Sequence, residues 1–179
     1  MRQVIVISGV SGCGKSTYIQ DVILGRVKDG PITSWKFTGS HVVVSADDYF
    51  LAMNGEYRFD PSKLSLAHGK CFRDFIESMQ DDISLVVVDN TCTTVEEISP
   101  YILGAQAFGY DVELRTLDIS EVPPGEESEP HVWFEAVLNK LAARNAHGVG
   151  KQTIMAQSMR ISLRKLPPWW KCTYIPAKV

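Results

Sequence analysis

Apolar residues along the chain gather into short unbroken runs instead of alternating with polar ones. Residues 3–8 (QVIVIS), 41–47 (HVVVSAD) and 85–90 (LVVVDN) are rich in β-branched side chains and run into glycine or acidic positions. Such runs predict strands buried on both faces, the habit of a parallel sheet. Residues 111–119 (DVELRTLDI) alternate enough to form a fourth strand, and 171–175 a last one. Helical patterns fall between them: 15–26, stopping near Gly25 and Gly30; 61–79, opening on Pro61 and Ser62; and 95–108, with a break or kink expected at Pro100. Two more follow at 132–144 and 151–163, separated by the turn-like HGVG. The stretch 121–130 (EVPPGEESEP) is acidic and rich in Pro and Gly, hence a loop. Strands alternating with helices predict an α/β fold, a parallel sheet of about five strands flanked by helices on both faces. Nothing repeats, so residues 1–179 are expected to form one domain.

A length of 179 residues suits a single core, and 45% hydrophobic with 22% charged residues is ordinary for a globular chain in water. No apolar run approaches the ~20 residues of a membrane-spanning helix. The start, MRQVIVISGVSG, does not read as a signal peptide, because its apolar stretch leads directly into a glycine loop. Cys13, Cys71, Cys92 and Cys172 show no CxxC spacing. They point to no zinc site and read as reduced thiols without disulfide partners in a cytoplasmic protein. The net charge of −3 conceals an asymmetry: residues 131–179 hold eight basic residues against Glu135 alone, so this third carries +7 and residues 1–130 carry −10. The C-terminal third is therefore expected to face an anion; ATP alone satisfies this, and a nucleic-acid strand is the other option.

Residues 9–16, GVSGCGKS, fit G-x-x-x-x-G-K-[ST] in full, with a strand before and a helix after. The chemistry explains the spacing. Gly9, Gly12 and Gly14 let the backbone turn tightly, so that amides around Ser11 and Cys13 can point at phosphate oxygens. The following helix presents its positive end. Lys15 is expected on the β- and γ-phosphates, the Ser16 hydroxyl on magnesium, and Thr17 at the helix start. This is a P-loop, and it predicts ATP and Mg2+ as ligands.

Ligands of open α/β sheets bind beyond the carboxyl ends of the strands, where two strands here end in acids. Asp89 closes a hydrophobic strand, as expected of a carboxylate that holds magnesium or orients groups around Ser16. Asp47 is placed to take or orient the proton of an acceptor hydroxyl. A turn residue at Asp47 and a helix cap at Asp48 are the alternatives. Residues 131–160 form a candidate lid over the phosphates, within which 141–153 (LAARNAHGVGKQT) hold a flexible glycine turn. Arg144 is its leading candidate for neutralising the transferring phosphoryl group, ahead of His147 and Lys151. A solvated basic helix end is the other reading.

Taken together, GVSGCGKST, VSADDYF, EYRFDPSKLSLAHGKCFRDF, VVVDNTCTTVEEISPY and AARNAHGVGKQTI resemble the P-loop 5′-hydroxyl polynucleotide kinases of bacteriophage and animal repair enzymes. They are still more similar to that family's small ATP-binding relatives. The resemblance runs from Gln3 to about Arg160. It implies that Asp47 is the base for a nucleic-acid 5′-OH. It further implies that Asp89, Asn90 and Thr91 lie by the acceptor and magnesium, and that Arg144 with Asn145 contacts phosphate. Two departures stand out. The phage enzymes carry an acceptor-gripping arginine after their DDY element, where this chain has Phe50, and a second lid arginine, where it offers His147. Arg58 is the candidate replacement for the first, with Asp48 and Thr91 beside the substrate. Tyr49, Phe50, Tyr57 and Phe59 can stack on a base or pack beneath a helix. Trp169 and Trp170 are expected to pack the last strand, or else to border the adenine.

The expected activity is transfer of the γ-phosphate of ATP to a hydroxyl, a DNA or RNA 5′-end. A small-metabolite or nucleoside kinase and a non-transferring ATPase module are the alternatives. A pure nucleotide switch has no need of Asp47.

Overall fold

The computed structural model describes residues 2–25, 40–51, 56–120, 129–145 and 147–177. The helix end near Arg26 and Gly30 and most of the acidic loop at 121–130 lie outside these residues. Strand β1 (Gln3–Ser8) leads into helix α1 (Lys15–Tyr18), which continues as a π-helical turn over Ile19–Ile23. The remaining order is β2 (His41–Val44), α2 (Leu64–Gln80), β3 (Leu85–Asp89), α3 (Val95–Ala107), β4 (Asp111–Asp118), α4 (Pro130–Arg144), α5 (Lys151–Leu163) and β5 (Cys172–Pro176). The five strands form one parallel sheet in the order β2-β3-β1-β4-β5, with β1 in the middle.

The unbroken apolar runs are explained by burial on both sides of this sheet. In β1, Val4 and Val6 pack towards α2 and α3 with Phe75 and Ile98, whereas Ile5 and Ile7 pack towards α4 and α5 with Leu141 and Ile154. Successive side chains of a strand point to opposite faces, so a strand covered on both has no position left for a polar residue. Ser8 and Asp89 end β1 and β3, Ser8 fully buried and Asp89 half-buried.

Several elements depart from the sequence expectation in instructive ways. The second strand stops at Val44, because Ser45 turns the chain into a 3-10 helix over Ala46–Phe50 by accepting the Asp47 amide at 3.2 Å. The helix expected from Pro61 begins as a 3-10 turn, Pro61–Lys63, capped by Asp60. Pro100 neither breaks nor ends α3. A capping box of Thr94 and Glu97 fixes the start of that helix, and Ile98, Tyr101, Ile102 and Ala105 bury its inner face. These contacts outweigh the single backbone bond that proline removes. Of the two tryptophans, Trp170 is buried in the core beside β4 and β5, whereas Trp169 lies exposed. No described helix is long and apolar enough to cross a membrane.

Candidate active site

The phosphate loop takes the bend its glycines allow. Gly12 and Gly14 adopt φ of 80° and 93°, in the left-handed region where a side chain is strained. Gly12 has a second reason to be glycine. A Cβ there would come within 2.2 Å of the Leu141 carbonyl oxygen, so helix α4 rests directly on the loop. The Lys15 ammonium donates to the carbonyls of Val10 (3.0 Å) and Gly9 (3.3 Å), which keeps the cation at the mouth of the loop. Cys13 is buried behind the loop, and burial pushes its thiol pKa up, against the opposing charge of Lys15. A neutral, inert side chain results.

Ser16 donates its hydroxyl proton to Asp89 at 2.9 Å. Burial raises the Asp89 carboxyl pKa; Lys15 and the Ser16 hydroxyl oppose that shift, Asp47 adds to it, and His147 opposes it. Asp89 thus shares one electrostatic neighbourhood with both the loop and Asp47. Its oxygens and the Ser16 hydroxyl are hard donors of the type magnesium takes, together with phosphate oxygens. Among the described residues no group of three or more His, Cys, Asp or Glu side chains forms a metal cage, so such an ion would depend on the nucleotide for its other ligands.

Asp47 is held from two sides. The Tyr57 hydroxyl donates to Oδ1 at 2.9 Å, and Nε2 of His147, on the turn between α4 and α5, lies 3.5 Å from Oδ2. The Tyr57 and His147 rings are tilted against each other with centroids 4.4 Å apart. Burial and the Asp47 carboxylate raise the phenol pKa far above its ordinary value, so Tyr57 remains a proton donor. The turn carrying Asp47 is bolted to β3 by Asn90. The Asn90 oxygen accepts the Ala46 amide at 2.9 Å, and its amide group donates to the Tyr101 hydroxyl and the Cys71 sulfur, both at 3.3 Å.

Beyond Asn90 the chain folds back sharply. Cys92 adopts a φ of 43°, a left-handed conformation uncommon outside glycine. The strain persists because its carbonyl accepts two bonds, from the Ser8 hydroxyl and from Arg164, each at 2.8 Å. The fold-back brings the Thr91 carbonyl onto the Gly9 amide at 3.0 Å, clamping the loop after β3 to the start of the phosphate loop.

The sequence-derived candidates divide accordingly. Lys15, Ser16, Asp89, Asp47 and His147 come together, and Thr91 joins them through its backbone. Arg144 is the last residue of α4 and Thr17 lies on α1, both exposed. Asp48 is exposed, and the cap of its turn is Ser45. Arg58 pairs with Glu56 at 2.7 Å on the surface. Phe50 is buried against Tyr49, Tyr57 and Phe59, edge to face. Lys151 pairs with Glu135 at 2.6 Å.

Three residues went unnoticed in the sequence. On α5, Gln157 accepts the Ser11 amide at 2.8 Å, and Arg160 donates from Nε to Thr93 at 2.9 Å. Arg164, just past that helix, donates to Ser8 at 2.7 Å, to the Cys92 carbonyl and to Thr116 at 2.6 Å. Their spacing of three and four residues sets them on one side of α5 and its C-terminal end, a pattern visible in principle as the polar series Gln157, Arg160 and Arg164. Between α2 and α3 opens a groove of about 580 Å³, lined by Leu64, His68, Phe72, Glu96 and Tyr101 and bordered by Asn90.

Residues 4–162 match the AAA domain family designated AAA_33. The chain belongs to that family. This AAA domain is 32% identical over 152 residues to human NEDD4-binding protein 2, an alignment covering 84% of the chain but 7% of that protein. Among solved structures it shares its fold with a component of the Pnkp1/Rnl/Hen1 RNA repair complex, at a TM-score of 0.59 and 15% identity over 90% of this chain and 44% of that one. It also shares its fold with a putative kinase from Chloroflexus aurantiacus, at 0.58 and 13% identity over 98% and 88%. At these identities the neighbours show a shared α/β fold.

Proposed function

We propose that the chain transfers the γ-phosphate of ATP to an alcohol, and that the alcohol is the 5′-OH of a nucleic-acid end. The observation that carries this reading is the setting of Asp47. The carboxylate is bolted to β3 through Asn90, fixed at Oδ1 by Tyr57, and electrostatically coupled to Asp89 of the phosphate loop's neighbourhood. A module that only bound or hydrolysed nucleotide would gain nothing from a carboxylate so held.

In this reading Lys15 leaves the loop carbonyls and binds the β- and γ-phosphates, and the loop amides hold the β-phosphate. Magnesium, when bound by Ser16, Asp89 and the phosphates, supplies positive charge that neutralises the phosphoryl oxygens. Asp47 positions the acceptor hydroxyl and takes its proton at Oδ2 as the new O–P bond forms and the bond to the β-phosphate oxygen breaks. The turn between α4 and α5 acts as a lid that brings Arg144 and His147 over the phosphates and excludes water. The acceptor class is supported by the excess of basic residues in the C-terminal third and by the fold shared with an RNA-repair protein. Four free thiols, three of them buried, suit a cytoplasmic protein.

One observation favours a second reading. No Lys or Arg lines the α2–α3 groove among the described residues, and Glu96 stands at it, so a small uncharged alcohol, a metabolite or nucleoside, would fit there. A transfer screen with γ-labelled ATP separates the two. The proposal expects label on 5′-hydroxyl DNA or RNA oligomers, with acceptor binding that weakens steeply as salt rises. Label on sugars or nucleosides alone would refute the nucleic-acid acceptor, and ATP hydrolysis with no labelled acceptor would refute transfer.

A further inference from the structure

Asp47 is held by two contacts of unlike origin. Its side chain is half-exposed, and the torsion that orients a carboxylate is soft, so its plane is set only by what touches it. Tyr57, on Oδ1, comes from the same stretch of chain as Asp47 itself. That stretch is closed by the antiparallel pair Leu51–Tyr57 and by the Arg58 amide on the Phe50 carbonyl at 2.9 Å. The hold on Oδ1 is therefore local and does not depend on the helices α4 and α5. A single bond still leaves the carboxylate able to swing about Oδ1, and the direction of Oδ2 needs a second contact.

His147 supplies it from a distant part of the chain. It lies on the turn between α4 and α5, where its amide donates to Oδ1 of Asn145 at 2.8 Å, which sets the course of the turn. Its ring lies against Tyr57 with centroids 4.4 Å apart, and its Nε2 faces Asp47 Oδ2 at 3.5 Å. Nε2 is a donor both in the imidazolium and in the neutral ring that carries its proton there. The separation is within reach of an ion pair and longer than the ~2.7–2.9 Å of a charge-assisted hydrogen bond. Contacts of this kind in active sites are often long before substrates bind and tighten in the complex.

We infer that His147 is a positioning residue that couples closure of the α4–α5 turn to the orientation of the base. With the turn down, imidazole and phenol fix the two oxygens of Asp47. Oδ2 accepts the imidazole proton on one lone pair and keeps another for the acceptor hydroxyl. With the turn raised, only Tyr57 holds the carboxylate, and Oδ2 is no longer aimed. This deepens the proposed function and rests on it for Asp47 as the base.

The test is a double-mutant cycle on single-turnover transfer from γ-labelled ATP to a 5′-hydroxyl oligonucleotide, with His147→Ala, Asp47→Asn and the two combined. His147→Ala should slow transfer about tenfold, the low end for a hydrogen bond to a charged group at a half-exposed site, with binding of an ATP analogue unchanged. Combined with Asp47→Asn, the same substitution should alter the residual rate by less than about twofold, because the group it acts through is gone. His147→Gln, which offers an amide donor in place of the imidazole, should recover part of the rate. An unchanged rate in His147→Ala overturns the inference. So does an equal fall in both backgrounds, which would put the imidazole to work on the phosphates, and so does a faster rate, which would make it a latch that blocks the acceptor. Transfer that depends on Asp47 but is indifferent to His147 refutes this inference alone. Wild-type transfer by Asp47→Asn, or a wild type that labels no hydroxyl, refutes the proposed function and this inference with it.

Discussion

Two glycines with the same backbone conformation and different surroundings give the sharpest test of how α4 is seated. Gly12 and Gly148 both adopt left-handed φ, 80° and 68°. An alanine at either position carries the same conformational penalty, about 1–2 kcal/mol. At Gly148 that is all, because no atom of the described residues lies within 4 Å of the added Cβ. At Gly12 the Cβ would stand 2.2 Å from the Leu141 carbonyl oxygen, 3.0 Å from its carbon and 3.2 Å from its Cα. These are backbone atoms of α4, which no rotamer change can move. The helix must retreat by roughly 1 Å to restore ordinary contact, and overpacking of this kind costs about 1–3 kcal/mol more. At roughly 2–4 °C per kcal/mol for a domain of this size, Gly148→Ala should lose about 2–8 °C in melting temperature and Gly12→Ala about 4–20 °C. Gly12→Ala should also lose most of its affinity for a fluorescent ATP analogue, because the displaced segment is the phosphate loop itself. Differential scanning calorimetry and a nucleotide titration on both variants provide the comparison. Equal melting temperatures with intact nucleotide binding would show that α4 does not rest on the loop and would refute this reasoning.

The acid at the end of β3 yields a prediction with a definite sign. Burial raises the Asp89 pKa in the folded protein above its unfolded value, so between those values the folded state binds more protons. Stability therefore falls as pH rises through that window, and above it the cost is fully present. Asp89→Asn, which keeps a partner for Ser16, should melt higher than wild type near pH 7 without nucleotide, the gap closing towards pH 4. It should also weaken magnesium-dependent nucleotide binding. A variant less stable at every pH would contradict the assignment of burial as the dominant cause. Tyr57→Phe removes the bond to Asp47 Oδ1 and should lower phosphoryl transfer roughly three- to tenfold with the Michaelis constant for ATP unchanged. Steady-state kinetics decide it, and an unaltered rate would leave Tyr57 as packing alone.

Much of the fold is legible in the order of residues because a parallel sheet covered on both sides leaves an unambiguous trace. QVIVIS and LVVVDN are continuous because neither face of β1 or β3 meets water. The phosphate loop is equally readable, since its requirement for glycine, lysine and serine is local. The rest of the site depends on contacts that sequence order hides. Gln157 meets Ser11 across 146 residues, Arg160 meets Thr93 across 67 and Arg164 meets Ser8 across 156. No periodicity within α5 says which of its faces will lie over strand ends. Arg58, the candidate replacement for the arginine missing after the DDY element, pairs on the surface with Glu56, two residues away, a contact that sequence order does not announce. Pro100 reads locally as a helix breaker and is overruled by the capping box and the buried face of α3.

The account stands on Asp47 as the group that receives the acceptor's proton beside the phosphate loop. The most direct test is single-turnover transfer from γ-labelled ATP to a 5′-hydroxyl oligonucleotide by Asp47→Asn. With a base and its hydrogen bonding removed, transfer should fall by at least about a hundredfold while the ATP analogue binds as in the wild type. Transfer at the wild-type rate would mean that the proton leaves by another route and that this carboxylate is only a turn residue.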